Sequence, residues 1–165
     1  MPLADAFLNE IDQEARTTQR VLERVPEDKL TWKPHPKSHT LGQLAMHVAV
    51  AQGFLAGAAA QDVFKFEGRQ PAQPKTKKEI LDAFANSTAA AKENLKKLDD
   101  ARLLSEWQGE VNGKKVLSMP RVAFVRAIVM NHTYHHRGQL SVYLRLLEVP
   151  VPSIYGPSAD ENPFA

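Results

Sequence analysis

Residues 119–147 read MPRVAFVRAIVMNHTYHHRGQLSVYLRLL, and this stretch decides the fold. Apolar residues recur in it at the three- and four-residue spacing of an amphipathic helix, and Pro120 suits a first helical turn. Pro150 and Pro152 follow and end the pattern. The stretch therefore predicts the longest helix of the chain, and its unusual feature is the cluster of histidines at its centre.

The same periodicity predicts three helices upstream, over residues 3–24, 40–60 and 76–98. Thr40 and Thr76 are the expected N-caps of the second and third helices. The connections are about fifteen residues or longer, which is unusual for helices joined as direct neighbours. The sequence thus predicts a single domain over residues 1–165: an all-α four-helix bundle with long connecting loops. At least one crossover is expected to make two consecutive helices parallel.

The last connection, residues 99–118, contains a hairpin signal. Asn112-Gly113 favours a tight turn between short apolar flanks, so a two-stranded excursion is expected there. The flanking strands are too short to indicate a sheet domain. Trp32 and Trp107 are interpreted as loop residues that pin their segments to the bundle.

The composition is that of an ordinary soluble globular protein, with 165 residues, 43% of them hydrophobic and 24% charged. The chain has no Cys, which excludes a disulfide framework, an iron–sulfur cluster and a cysteine nucleophile. A formal net charge of +2 gives no reason to expect nucleic acid or an anionic membrane as a partner. The most apolar window, residues 41–60, contains Gln43, His47 and Gln52. We interpret it as a buried helix of a cytoplasmic protein without a secretory signal.

Helical geometry places three histidines on apolar faces. At about 100° per residue, His136 lies about 40° from His132 and one turn away, on the face that carries Val129. On the second helix, His47 shares a face with Phe54. Both helices are therefore predicted to direct histidines into the core.

Three buried imidazoles are costly unless each has a partner, and one divalent cation satisfies all three. The His-x3-His spacing puts two ring nitrogens, from His132 and His136, on one side of a metal, and His47 would reach it across the bundle. A single histidine on an apolar face is more often a hydrogen-bonded core residue, and this alternative stays open. Three imidazoles suit zinc or nickel, with iron or manganese as alternatives, and they leave a position for water or substrate.

Three polar residues are candidates for roles beside the metal. Gln139 and Tyr143 fall close to the centre of the same face, where they would shape or orient the site. Glu14 lies in the apolar stripe of the first helix. If the first two helices are antiparallel neighbours, Glu14 and His47 differ in height by about 5 Å, which suits a general base or an acceptor behind a ligand histidine. We favour the alternative of a carboxylate at a helix end or in an interhelix salt bridge. Arg137 lies about 140° from His132, away from the apolar stripe, and is predicted to pair on the surface or at a contact between helices.

A family resemblance rests on these segments. Residues 131–140, NHTYHHRGQL, resemble the H-x3-H-R-G-Q signature of the DinB/YfiT-like superfamily. Residues 41–49, LGQLAMHVA, are similar to its second-helix segment, and residues 32–34 and 149–157 are similar to family members as well. The resemblance covers almost the whole chain. It implies an up-down-down-up four-helix bundle, a homodimer, no contact with DNA, and a metal held by His47, His132 and His136.

The activity that the resemblance implies is less specific. Relatives include thiol-dependent S-transferases and isomerases, and others are described as metal-dependent hydrolases. We expect a metal-dependent S-transferase that joins a low-molecular-weight thiol to a small electrophile. The alternatives are a hydrolase that uses metal-bound hydroxide, and a metal-binding or small-molecule-binding stress protein without turnover. Because the chain has no Cys, the sulfur must arrive on a co-substrate.

Overall fold

The computed structural model describes residues 2–68 and 71–164. Its helices are α1 Leu3–Glu23, α2 Leu41–Ala59, α3 Lys77–Lys96, α4 Asp100–Leu104, α5 Arg121–Phe124 and α6 Asn131–Leu146. Its strands are β1 Val63–Lys65, β2 Glu106–Val111 and β3 Lys114–Pro120. A π-helical segment, Val125–Met130, joins α5 to α6 in one helical rod, and a 3-10 turn, Glu27–Lys29, follows α1.

Local capping signals start two of the long helices where the sequence predicts them. Thr40 Oγ1 accepts from Gln43 N at 3.1 Å, while Gln43 Oε1 accepts from Thr40 N at 3.0 Å, which forms a capping box ahead of α2. Thr76 Oγ1 accepts from Glu79 N at the start of α3. The four predicted long helices are therefore present, with bounds that differ from the predicted ones by a few residues.

The long helices pack so that α1 and α2 each lie against α3 and α6. The arrangement in which α1 packs directly on α2, considered above for Glu14 and His47, is not the one observed, because each of these helices packs on α3 and α6 instead. α2 and α3 run in the same direction, as two contacts show. Gly42 near the start of α2 lies beside Pro74, just ahead of α3, and Gly53 farther along α2 lies against Ser87 in the middle of α3. A Cβ at position 53 would lie 2.5 Å from Ser87 O, so this close approach of the two helices requires glycine.

A small sheet corrects the all-α prediction. The β2–β3 hairpin turns at Asn112 and Gly113, which have φ of 50° and 73°, as the Asn-Gly signal predicts. β1 adds a third strand parallel to β2, with Val63 opposite Gln108. Parallel pairing between segments so far apart leaves no local pattern, and the three residues of β1 alone predict no strand.

Trp107 joins the sheet to the helices. It lies in β2 and not in a loop, it is fully buried, and its Nε1 donates to Ala58 O at 3.0 Å. Its ring stacks on Phe124 with a centroid distance of 3.8 Å. The predicted anchoring role is therefore correct, although the element that carries it is a strand.

The buried face of α6 differs from the predicted face. Its buried side chains are Thr133, Arg137, Leu140 and Leu144, which lie about 100° around the helix from His132. The predicted face assumes a regular turn of about 100° per residue through Val125–Met130. The backbone of this segment is π-helical, so each residue turns by a smaller angle and the side chains on either side of it are offset from the predicted face. The histidines consequently lie at the edge of the buried face.

α2 shows a similar offset, since Val50 and Phe54, close to His47 in angle, are 38% and 49% exposed. This helix is apolar nearly all round, so its sequence does not indicate which side faces the core. By length and composition α2 is also able to span a membrane, but 67% of its most apolar window is buried within the protein. That burial agrees with the prediction of a core helix.

Candidate metal centre

The structure brings together His47, His132 and His136, the three histidines that helical spacing places on apolar faces. His132 Nε2 lies 3.0 Å from His136 Nε2 and 3.4 Å from His47 Nε2. The nitrogens that face one another all lie within 4.8 Å, and each residue is half-buried. Helix α2 supplies one ring and α6 the other two, so the packing of these helices forms the cluster.

The cluster is uncharged at neutral pH. Burial, together with the neighbouring imidazoles, lowers the pKa of His47 and of His132 to about 4. Burial also lowers the pKa of His136, against the opposing effect of its hydrogen bond to Gln139. Neutral imidazole is the form that binds a metal ion, so no proton has to be removed first at pH 7.

The hydrogen bonds around the cluster fit a cation at its centre. His136 Nδ1 lies 2.7 Å from Gln139 Oε1, which holds a proton on Nδ1 and leaves the Nε2 lone pair free. His132 Nδ1 is buried without a partner among the described residues. Three Nε2 atoms that face one another at such short distances repel unless a cation or a proton lies between them. The donor set therefore fits one divalent metal ion held by His47, His132 and His136.

A cleft of about 490 Å³ opens beside the cluster, and His47 and His132 form part of its wall. The rest of the wall is mostly apolar and comes from α2 and from the segment after β1: Met46, Val50, Ala51, Phe54, Leu55, Phe66, Pro71 and Ala72. A second cavity of about 230 Å³, between α1 and α3, contains none of the histidines. A ligand of the metal would thus approach through the larger cleft.

Sequence reasoning did not find this cleft. Helical spacing puts Phe54 on the predicted core face of the second helix, and Phe66 lies in the connection predicted between the second and third helices. The local signal for Phe66 is the alternation of Phe64 and Phe66, which is typical of a strand with one face covered. Three residues are too few for that alternation to be distinguished from chance.

Glu14 and Arg137 form a pair away from the cluster. Arg137 Nη1 donates to Glu14 Oε2 at 2.6 Å and to Thr18 Oγ1 at 3.0 Å, and its side chain is 1% exposed. Tyr155 Oη donates to Glu14 Oε2 at 3.0 Å. The carboxylate is thus held in the interhelix salt bridge that we favoured and not beside a ligand histidine. Arg137 therefore pairs at a contact between helices, which is one of the two predicted alternatives, and its side chain is buried there.

The two other candidates have different surroundings. Gln139 touches the cluster through His136. Tyr143 instead packs its ring edge to face on Trp32 at 5.7 Å and donates from Oη to His39 O at 3.3 Å. The predicted orienting role therefore has a direct contact for Gln139, while Tyr143 holds the loop ahead of α2 against α6.

The class defined by the fold and the site is that of a helical domain in which three histidines from two helices converge and could hold a divalent metal ion. The DinB family model matches residues 1–163, so the chain belongs to the DinB family. It is 26% identical over 161 residues to the uncharacterized protein YrdA of Bacillus subtilis strain 168, an alignment covering 95% of this chain and 90% of YrdA.

Solved structures agree with this assignment. A DinB-like protein from Bacillus cereus ATCC 10987 is 28% identical, with a TM-score of 0.72, over 93% of this chain and 98% of that one. The DinB-like protein YjoA of Bacillus subtilis is 16% identical, with a TM-score of 0.67, over 89% of this chain and 96% of that one. The second likeness concerns the fold alone.

Proposed function

We propose that this chain binds one divalent metal ion through His47, His132 and His136 and transfers a low-molecular-weight thiol to a small electrophile. The observation that carries the proposal is the position of the cluster, half-buried in the wall of an apolar cleft. Three protein ligands leave coordination positions open on that side. Zinc or nickel suits three imidazoles, as the sequence analysis expects.

The residues around the cluster favour a thiol over water as the nucleophile. Glu14, the general base expected for hydrolysis, is bound by Arg137 and Tyr155. Among the described residues, no carboxylate joins the cluster, and the one that lines the cleft belongs to Glu67, which is exposed. A thiol loses its proton without a strong general base more readily than water does, because the pKa of a thiol is about 8.5.

The reaction divides between the metal and the chain. A divalent cation supplies a Lewis acid that lowers the pKa of a thiol further. The chain holds three neutral imidazoles in place, with the ring of His136 oriented by Gln139, and its apolar cleft offers a binding surface for the electrophile beside them. Transfer forms a carbon–sulfur bond, releases the leaving group with its electron pair, and passes the thiol proton to solvent.

The finer features of the family resemblance belong to the same proposal. The up-down-down-up arrangement is supported by the parallel course of α2 and α3 and by the contacts of α1 with α3 and α6. Three further properties stay predictions from the sequence: that the protein forms a homodimer, that it is cytoplasmic, and that it acts in the stress response.

Metal content tests the first half of the proposal. Purified protein loaded with Zn²⁺ or Ni²⁺ and desalted is expected to retain about one ion per chain, and His132→Ala is expected to lose most of it. His135→Ala is the matched control, because His135 is exposed on the same helix and lies outside the cluster. Equal metal content in wild type and His132→Ala, by elemental analysis, would overturn the site.

Turnover tests the second half. Monobromobimane is incubated with a panel of low-molecular-weight thiols, with metal-loaded and with chelated protein, and the fluorescent thioether is measured. A rate with at least one thiol that requires metal and is lost in His132→Ala supports the proposal. If the rate of thioether formation is the same with and without protein for every thiol, the transferase activity is contradicted. Metal-dependent hydrolysis of ester substrates, observed together with that result, would favour the hydrolase.

A further inference from the structure

We propose that the cleft beside the histidines binds an uncharged aromatic group of the substrate, which packs against the rings of Phe54 on α2 and Phe66 after β1. This inference rests on the proposed function in one respect, namely that the reacting atom of the substrate lies at the histidine cluster. The binding of the aromatic group itself depends on the cleft alone.

The exposure of the cleft's apolar side chains is the first argument. Phe54 is 49% exposed and Val50 is 38% exposed, although both lie on a helix that is otherwise largely buried. Leaving two apolar side chains in contact with water is unfavourable unless a ligand covers them. The cleft holds about 490 Å³, which is the size of a small-molecule site, and it is continuous with the histidines.

The two phenylalanine rings of the cleft, Phe54 and Phe66, belong to a row of edge-to-face contacts that Phe64 and Trp107, which lie outside the described lining, complete. Phe54 meets Phe64 edge to face at 5.5 Å, Phe64 meets Phe66 at 5.1 Å, and Phe66 meets Trp107 at 6.1 Å. Edge-to-face pairs at these distances are the favoured arrangement of aromatic rings. An aromatic group in the cleft would therefore find further rings at its edge.

The small sheet fixes the position of Phe66. Phe66 N donates to Glu110 O at 2.8 Å, which continues the β1–β2 pairing past the end of β1. Its ring occupies space that only glycine leaves at position 109, since a Cβ there would lie 2.7 Å from Phe66 Cε2. The pairing of β1 with β2, which the sequence does not predict, thus fixes the position of one aromatic side chain in the proposed substrate cleft.

Charge argues for an uncharged group. Apart from the two histidines, the one polar side chain in the described lining of the cleft is that of Glu67, which is a carboxylate. In the metal-free protein, an anionic substituent would lie near this carboxylate, and the described lining contains no Lys or Arg to pair with it. An uncharged ring loses little hydration on entry, so the cleft selects for it.

Binding of a neutral probe to the metal-free protein tests the inference separately from the enzyme activity. Chelated protein is titrated with N-phenyl-1-naphthylamine, and its fluorescence gives the dissociation constant. We expect Phe54→Ala to weaken binding about tenfold. Phe164→Ala is the matched control, since Phe164 is 80% exposed elsewhere on the chain, and it should bind as wild type does.

Two further measurements keep the test independent of a folding defect. Val50→Glu adds a charge at an exposed position of the cleft and should abolish binding, while Val142→Glu, at a position that is 56% exposed on α6, should leave it unchanged. The anionic analogue 8-anilinonaphthalene-1-sulfonate should bind at least tenfold more weakly than the neutral probe. Equal binding of both probes, or a Phe54→Ala constant equal to that of wild type, overturns the inference. If the probe measurements overturn the inference but metal-dependent thiol transfer is observed, the proposed function is retained and only the binding of an aromatic group is rejected.

Discussion

Gln139 Oε1 lies 2.7 Å from His136 Nδ1, one turn along α6, so a side chain that does not reach the centre of the cluster fixes the orientation of one of its rings. The bond also decides which ring nitrogen of His136 carries the proton. Because Gln139 is exposed, its effect on the cluster is separable from its effect on folding.

Gln139→Ala should lower the affinity for Zn²⁺ about tenfold or more, because the imidazole then loses its orienting partner. Competition with a chromophoric chelator measures this affinity. Gln139→Glu retains an acceptor oxygen and should bind at least as tightly as wild type. Gln13→Ala, at an exposed position on α1, is the control. Wild-type affinity in Gln139→Ala would show that the contact has no bearing on metal binding.

Arg137→Met should reduce the free energy of unfolding by about 3–5 kcal/mol, because it leaves the Glu14 carboxylate without its partner inside the bundle. Arg145→Met, on the same helix, removes a surface pair with Asp160 whose side chains are 46% and 25% exposed, and should cost no more than about 1 kcal/mol. Urea unfolding followed by circular dichroism compares the two. Equal losses would mean that burial does not distinguish these pairs.

The metal-free protein should lose stability as the pH falls from about 6.5 towards 4. In this window the unfolded chain protonates its histidines at their ordinary pKa of about 6.5, whereas His47 and His132 stay neutral in the folded state because their pKa is about 4. The unfolded state therefore binds more protons, and acid favours it. Urea midpoints of chelated protein between pH 6.5 and 5 measure the slope.

His132→Ala is the comparison for that slope. It removes one depressed group, so the loss of stability with falling pH should be shallower than in wild type. The window above pH 5 is chosen because carboxylates in the unfolded chain are then largely ionised. An identical slope in both proteins would contradict the assignment of the effect to the cluster.

Two glycines on α2 should respond to alanine in opposite directions. Gly53→Ala places a Cβ 2.5 Å from Ser87 O and should separate α2 from α3, with a lower free energy of unfolding. At Gly57 a Cβ would meet its nearest neighbour, Asn94 Nδ2, at 3.7 Å, so Gly57→Ala should gain about 0.5–1 kcal/mol from helix propensity. Thermal melts of both variants give the two signs, and a stabilising Gly53→Ala would contradict the close packing.

The local chemistry of the chain was sufficient to predict the four long helices, the hairpin turn and the three histidines that converge. Thr40, Thr76 and the prolines determine where the long helices begin and end, because caps and ring constraints act within a few residues. His132 and His136 share a side of one helix by their spacing alone, since four residues make about one turn. The Asn112-Gly113 turn was predictable for the same reason.

Tertiary structure decided which neighbours these elements have. α1 packs on α6, so Glu14 meets Arg137 and not a ligand histidine, and β1 pairs with β2 across a long stretch of sequence. The π-helical segment before α6 moves the histidines from the predicted core face to the wall of a cleft. The sequence determined that three imidazoles are available for one metal. The surroundings of these imidazoles were decided by packing. An apolar helix can bury either side, and the free energy gained depends on which apolar surfaces other segments place against it.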